Sequence, residues 1–304
     1  MNIVTTGPTM TAREAAQIER ANASGALPVI FVHGLWLLPS SWDNWVALFE
    51  EAGFVGLTPG WPDDPVTVAE AREHPEVFAG KGITAIADYL QTIIRRLNRR
   101  PMIIGHSFGG LLTMILAGRG LAFASVAISP APFRGVLPLP VPALRTASVA
   151  LRNPLNWNRA VPLTYEQFRY SFANAVGENE AKELFLGYSV ATPGKPLFQA
   201  ASANLNPWSE ARVDLMSPER GPMLIIAADS DHAVPWEMAN AAYKLQKRNE
   251  GVTEITRMPD RGHSLTIDAG WREVAAKALD FVKRVTPSTN PPLAGVQSAR
   301  QGDA

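Results

Sequence analysis

The sequence predicts an α/β fold with a mostly parallel central sheet flanked by helices. Short apolar, β-branched runs recur along the chain and helix-forming stretches separate them, the alternation that parallel strands joined by crossover helices produce. With 304 residues, 46% of them hydrophobic and 18% charged, the chain is long and apolar enough to bury a large core, as one large domain or a domain carrying an insertion.

The first element is a helix. Thr11 and Glu14 have the Thr-x-x-Glu spacing of a capping box, and Ser24-Gly25 stops the stretch they open. Residues 28–34, Pro-Val-Ile-Phe-Val-His-Gly, read as a strand buried on both faces and ended by glycine. Similar runs at 102–105, 123–128 and 223–228, with a more polar one at 253–258, supply the rest of the expected sheet. Helices are expected at 41–52, 83–99, 108–118, 236–249 and 271–284.

One region breaks the alternation. Between 130 and 212 there is no comparable strand run, prolines cluster at 130, 132, 138, 140 and 142, and helix-like pieces follow at 166–175 and 178–188. Residues 131–212 are therefore expected to form an inserted helical lid on a core made of 1–130 and 213–286. Residues 287–304, polar and rich in Pro, Ser, Gly and Gln, are expected to be a disordered tail.

Composition narrows the chemistry. The 28 basic and 28 acidic residues give a formal net charge of +0, so no general attraction to nucleic acid or anionic membranes is expected. The absence of cysteine excludes disulfides, thiol nucleophiles and thiolate metal sites. Residues 1–24 lack the basic start and apolar run of a secretory signal, and no apolar run is long enough to span a bilayer. A cytoplasmic location follows as the expectation.

Gly105-His106-Ser107-Phe108-Gly109 is a Gly-x-Ser-x-Gly match. By glycine usage alone, chance produces one in about one chain of this length in ten. Here it follows a predicted strand and opens a predicted helix, the setting of a nucleophile elbow, in which a sharp turn presents the serine and the flanking glycines let strand and helix approach. Ser107 is the candidate nucleophile. The helix start places the Phe108 N–H where a negative oxygen would develop in acyl transfer, and Leu35, after His33-Gly34 at another strand end, can supply a second N–H.

A serine hydroxyl needs a base and a group that orients the base. His263, in the loop between the last predicted strand and the last helix, is the candidate base. His106 is expected to point away from its neighbour Ser107 and serve in packing or a backbone hydrogen bond. His33 is expected to be a buried structural residue, and His232 and His74 surface residues. No histidine pair has metal-ligand spacing. Two carboxylates, Asp229 and Asp231, follow the strand at 223–228; Asp231 lies farther into the loop and is the preferred acid. Trp36, Phe133 and Val234 are candidates for the lining of an apolar substrate pocket, although each could equally be a packing residue.

His33-Gly34, the Ser107 elbow, Asp231-x-x-Val234-Pro235 and Gly262-His263 together resemble the α/β-hydrolase superfamily over about residues 29–284. The resemblance implies the order Ser, acid, His, with Ser107 as nucleophile, Asp231 as acid, His263 as base and the N–H groups of Leu35 and Phe108 as oxyanion donors. The expected lid at 131–212 falls where many members carry a helical cap. Members usually open with a strand hairpin, whereas this chain opens with a helix, so the first strands are expected to be reduced or missing. The implied activity is hydrolysis of a carboxylic ester or lactone with a hydrophobic group through an acyl-enzyme, without a cofactor. The same residues could also serve a cofactor-free perhydrolase or haloperoxidase, or a carbon-carbon bond hydrolase. A non-catalytic ligand receptor on the same scaffold is the alternative outside catalysis.

Overall fold

The computed structural model describes residues 9–286; the expected tail at 287–304 lies outside the described residues. Helix α1 (Ala12–Ser24) carries the anticipated capping box and ends at Gly25, whose φ of 68° suits glycine. It is followed by β1 (Pro28–Val32), α2 (Asp43–Glu51), β2 (Val55–Leu57), α3 (Val68–Glu73), α4 (Ile83–Ile94), β3 (Met102–His106), α5 (Phe108–Gly118) and β4 (Ala124–Ile128). Residues 131–212 contain α6 (Val141–Leu151), β5 (Ala160–Val161), α7 (Tyr165–Ser171), α8 (Glu178–Tyr188), β6 (Thr192–Pro193) and α9 (Lys195–Ala201). The chain then returns to β7 (Met223–Ala228), α10 (Trp236–Gln246), β8 (Thr253–Met258) and α11 (Trp271–Val285).

Six strands form one sheet in the order β2-β1-β3-β4-β7-β8, and every pairing in it is parallel. Alternate residues of the strands serve opposite faces, as the period of two requires. Ile30, Val32, Ile103, Ala127 and Ile225 join one apolar cluster with α4, α5 and α10. Val29, Phe31, Ile104, Val126 and Leu224 join another with α2 and α11. Both faces are covered, which is why the strands read as continuous apolar runs.

The edge strand β2 was not expected. It is three residues long and its centre is Gly56, where a Cβ would meet the Val46 side chain at 2.8 Å. Helix α1 takes the place of a further strand beyond it. Arg20 Nη2 donates to the Gly56 carbonyl (2.7 Å), the Thr58 N–H donates to Gln17 Oε1 (3.2 Å), and the Gly60 N–H donates to Glu14 Oε1 (3.1 Å). The first of these bonds answers a carbonyl of the edge strand, and the other two hold the chain that leaves it. No strand precedes β1 among the described residues.

Several boundaries differ from expectation for identifiable reasons. The helix expected from 41 begins as a short 3-10 turn at Pro39–Trp42. Helix α4 stops at Ile94, five residues early, because the Arg96 and Leu97 N–H groups turn back to the carbonyls three residues before them. The helix expected over 166–175 is α7, which stops at Ser171 as the Ala173 N–H bonds to Phe168 O, five residues back. Helix α10 ends at Gln246 rather than 249. There the buried Arg220 guanidinium accepts no further turn: it donates to the carbonyls of Gln246, Gly251 and Val252, and burial pulls its pKa down to about 10.

Candidate active site

The sheet places the singled-out residues at one end. Leu35 follows β1, Ser107 follows β3, Asp231 follows β7 and His263 follows β8, so all lie beyond the carboxyl ends of parallel strands, where ligands of open α/β sheets bind.

Ser107 occupies a strained backbone conformation, φ 57° and ψ −120°, between β3 and α5. The flanking glycines make that turn possible. A Cβ on Gly105 would lie 2.1 Å from the Gly109 carbonyl oxygen, and one on Gly109 would lie 2.1 Å from that of Val32. The turn is held by the Ser107 N–H, which donates to Ile128 O (2.9 Å).

A continuous hydrogen-bonded row leads away from the serine. His263 Nε2 is 2.8 Å from Ser107 Oγ, and His263 Nδ1 is 2.7 Å from Asp231 Oδ2. The other oxygen, Asp231 Oδ1, accepts from the backbone N–H groups of Ala233 and Val234, both at 2.8 Å. Its bonds fix the carboxylate, which fixes the imidazole. Asp229 is outside this row and pairs with Arg257.

Phe108 N–H is the first of helix α5, a position with no intrahelical acceptor. Leu35 N–H likewise donates to no other backbone carbonyl among the described residues. The peptide that carries it is fixed from its opposite side: His33 Nδ1 bonds the Gly34 carbonyl (2.9 Å), and Nε2 bonds Asp64 Oδ2 (3.0 Å). Since the C=O and N–H of one trans peptide point in opposite directions, holding Gly34 O holds the aim of Leu35 N–H. Asp64 itself accepts the Trp61 N–H and lies 3.6 Å from the buried Lys81 ammonium, whose pKa burial lowers against the pull of Asp64. His33 is thus the buried structural residue that was expected, and Asp64 is a partner that no motif marks. A buried histidine after a strand needs a partner, and Trp61-Pro62-Asp63-Asp64 was the nearby carboxylate-bearing loop.

His106 is buried and serves in packing, and its packing partner is the candidate base: its ring lies 4.6 Å from that of His263, centroid to centroid. Burial, and secondarily the charge of His263, hold His106 well below the ordinary value of 6.5. The unfolded chain takes up a proton on this ring near that value and the folded chain does not. Stability should therefore fall as pH drops from about 7 to about 5. Thermal unfolding over that range should show the decline in the wild type and a flatter limb in His106→Gln; an equally steep limb in the variant would assign the lability to other groups. His232 is not a plain surface residue: it bonds Tyr170 O at 2.9 Å, and its ring lies 4.5 Å from the Tyr170 ring at a tilt of 35°.

A cavity of about 170 Å³ opens onto Ser107 and His263. Trp36 and Val234 line it, as anticipated, together with Leu35, Phe108, Ala131 and Met238 from the sheet end. Phe133 does not: it is 1% exposed and packs in the core, while the preceding Ala131 and Pro132 face the cavity. The opposite wall comes from α6 and α9, through Ala143, Ala147, Leu151, Leu197 and Ala200. Among the described residues, no Lys, Arg, Asp or Glu lines it. The 131–212 region is tied to the site by Trp36 Nε1, which donates to Val161 O (2.9 Å), and by the Ser264 N–H, which donates to Phe172 O (2.9 Å). The Phe172 ring meets that of His263 edge-on at 4.8 Å. These contributors had no motif to mark them.

Among the described residues, no group of three or more His, Asp or Glu is placed to hold a metal, and no helix is long and apolar enough to cross a membrane.

A parallel sheet with a serine on a strained strand-to-helix turn, hydrogen-bonded through histidine to an acid, defines the α/β-hydrolase class. Residues 29–277 match the alpha/beta hydrolase family, and the chain belongs to it. Among solved structures, it is similar to a monoacylglycerol lipase of Paleococcus ferrophilus, with 18% identity, a TM-score of 0.60, and coverage of 85% of this chain and 95% of that one. It is also similar to a pyrethroid hydrolase from Sphingobium faniae, with 17% identity, a TM-score of 0.58, and coverage of 84% and 97%. A protein assigned as a non-heme bromoperoxidase of Mycobacterium tuberculosis is similar as well, with 17% identity, a TM-score of 0.62, and coverage of 86% and 93%. These identities establish a shared fold. No curated protein matches the sequence.

Proposed function

We propose that the chain hydrolyses an uncharged carboxylic ester or lactone bearing an apolar group, through an acyl-enzyme on Ser107. The observation that carries this reading is the Ser107–His263–Asp231 row opening onto an apolar cavity without a charged lining residue. In the proposed cycle, His263 Nε2 takes the proton of Ser107 Oγ as the oxygen attacks the carbonyl carbon. The Asp231 carboxylate stabilises the resulting imidazolium, and the Leu35 and Phe108 N–H groups bind the oxyanion. The imidazolium then gives its proton to the leaving alkoxide. Water, deprotonated by the same nitrogen, attacks the acyl-enzyme and returns Ser107 to its starting state. The side chains and water balance each step, so the proposal includes no cofactor. The α6 and α9 wall acts as a cap that excludes water from the acyl group.

Each methylene the cavity buries should strengthen binding by about 0.8 kcal/mol, or about fourfold in kcat/KM, until the cavity is full. A series of p-nitrophenyl esters of increasing acyl length, assayed beside lactones, reads this directly. A rise with chain length followed by a plateau is expected. A preference for esters with a charged acyl terminus would contradict the apolar assignment.

A further inference from the structure

The cavity does not end at an ordinary polar rim. Leu137, Leu139, Val141 and Leu144 are all exposed, as are Leu205 and Trp208, over a range from 48% at Leu144 to 88% at Leu205. Leu139 and Leu144 also line the cavity. The two segments adjoin: Asn204 Oδ1 accepts the Gly135 N–H (2.7 Å) and Asn204 Nδ2 donates to Val136 O (2.8 Å). Leu139 and Leu144 thus join the lining of the site to apolar side chains exposed on the outside. Exposed patches of this kind mark interaction surfaces.

The backbone keeps the patch available. Leu137, Leu139 and Val141 alternate with Pro138, Pro140 and Pro142. Proline fixes φ and removes an N–H, so residues 137–140 pair with no strand, and α6 opens at Val141-Pro142. Along α6, Val141, Leu144, Ser148 and Leu151 follow one another at helical spacing, with Arg145 and Arg152, seven residues apart, beside them. Both arginines are exposed, as are Arg134 and Arg159, and residues 89–165 contain no Asp or Glu. One carboxylate from farther along the chain, Glu166, shares a shallow groove with Arg145 and Arg152. The net charge of the whole chain conceals this local excess.

We propose that this rim docks on the surface of an anionic lipid layer, from which the site takes its substrate. Continuity decides the occupant: a surface that merges with the cavity lining suits the same chemistry as the cavity, an apolar chain, and the arginines suit the headgroups above it. The substrate part of the inference rests on the ester-hydrolase reading, whereas docking itself does not.

The test is co-sedimentation of the full chain with vesicles of phosphatidylcholine, alone or mixed with phosphatidylglycerol. Binding to the mixed vesicles is expected, with weaker binding to the neutral ones. Leu137→Glu combined with Val141→Glu, positions outside the cavity lining, should lower the bound fraction about tenfold or more. Arg145→Gln and Arg152→Gln should each weaken binding to the mixed vesicles alone by about fivefold. Turnover of a dissolved short-chain ester should be unchanged in all of them, and this separates lost docking from lost folding. Vesicle binding without turnover would keep the docking and remove the hydrolase reading. Absence of wild-type binding, or binding unaffected by the glutamates, would overturn the proposal. A dimer that dissociates in the double glutamate variant would instead assign the rim to a second copy of the chain.

Discussion

Replacing Ser107 with alanine is expected to lower kcat by about a million-fold where the acyl-enzyme route carries the reaction. The substitution removes one oxygen and leaves its surroundings standing. Gly105 and Gly109 still permit the close approach, the Ser107 N–H bond to Ile128 O is a backbone bond, and alanine meets the positive φ at position 107 with the same Cβ as serine. KM should therefore change little while kcat falls. His263 has no second hydroxyl to activate in the row. Residual rate, about a thousandfold over water, is what the two N–H donors and the cavity would supply without a nucleophile. Steady-state assays of purified, folded Ser107→Ala measure this, and turnover near that of the wild type would remove the acyl-enzyme from the account.

The second large effect is expected at Asp231→Asn, about ten-thousandfold in kcat, and it follows from proton positions. Asp231 Oδ1 accepts two backbone N–H groups, so an asparagine would keep its carbonyl oxygen there and turn its NH2 toward His263 Nδ1. That nitrogen would have to become an acceptor. The imidazole proton would then sit on Nε2, 2.8 Å from Ser107 Oγ, where it cannot take the serine's proton. Asp229→Asn disturbs only the partly exposed pair with Arg257 and should retain activity. A kcat comparison of the two variants checks the assignment, and the reverse ranking would transfer the role to Asp229.

The parts legible in the sequence are those whose cause is local. β1, β3, β4 and β7 are buried on both faces, so each is an apolar run that ends where the chain turns at a strand end. Ser107 and Asp231 could be singled out because each follows such a run, and His263 because it lies between the more polar strand β8 and the last helix. The edge strand β2 was hidden because its partners lie far away: Gly56 is glycine to admit Val46, its carbonyl is met by Arg20 of α1, and Gln17 and Glu14 of α1 accept from Thr58 and Gly60 just after the strand. Asp64 was hidden for the same reason, since its contact with His33 crosses 31 residues. Phe133 shows the limit of reading one apolar residue after a strand. The chain at 131–133 turns, so Ala131 and Pro132 face the cavity and Phe133 the core, and nothing in their residue types fixes which way each points. The α6 and α9 wall is built mainly of alanine and leucine, residues that any helix uses. The formal net charge of +0 is an average over the chain and does not describe residues 89–165, which contain no Asp or Glu.

The central claim is that the buried row makes Ser107 a nucleophile rather than one more polar group at a strand end. A fluorophosphonate probe tests it most directly, because it forms a stable bond only with an activated hydroxyl. Peptide mapping should place the label on Ser107, and His263→Ala should abolish it while the protein stays folded. Folded wild-type protein that takes no label, or labels equally without His263, would contradict the account and leave the scaffold as a binding protein.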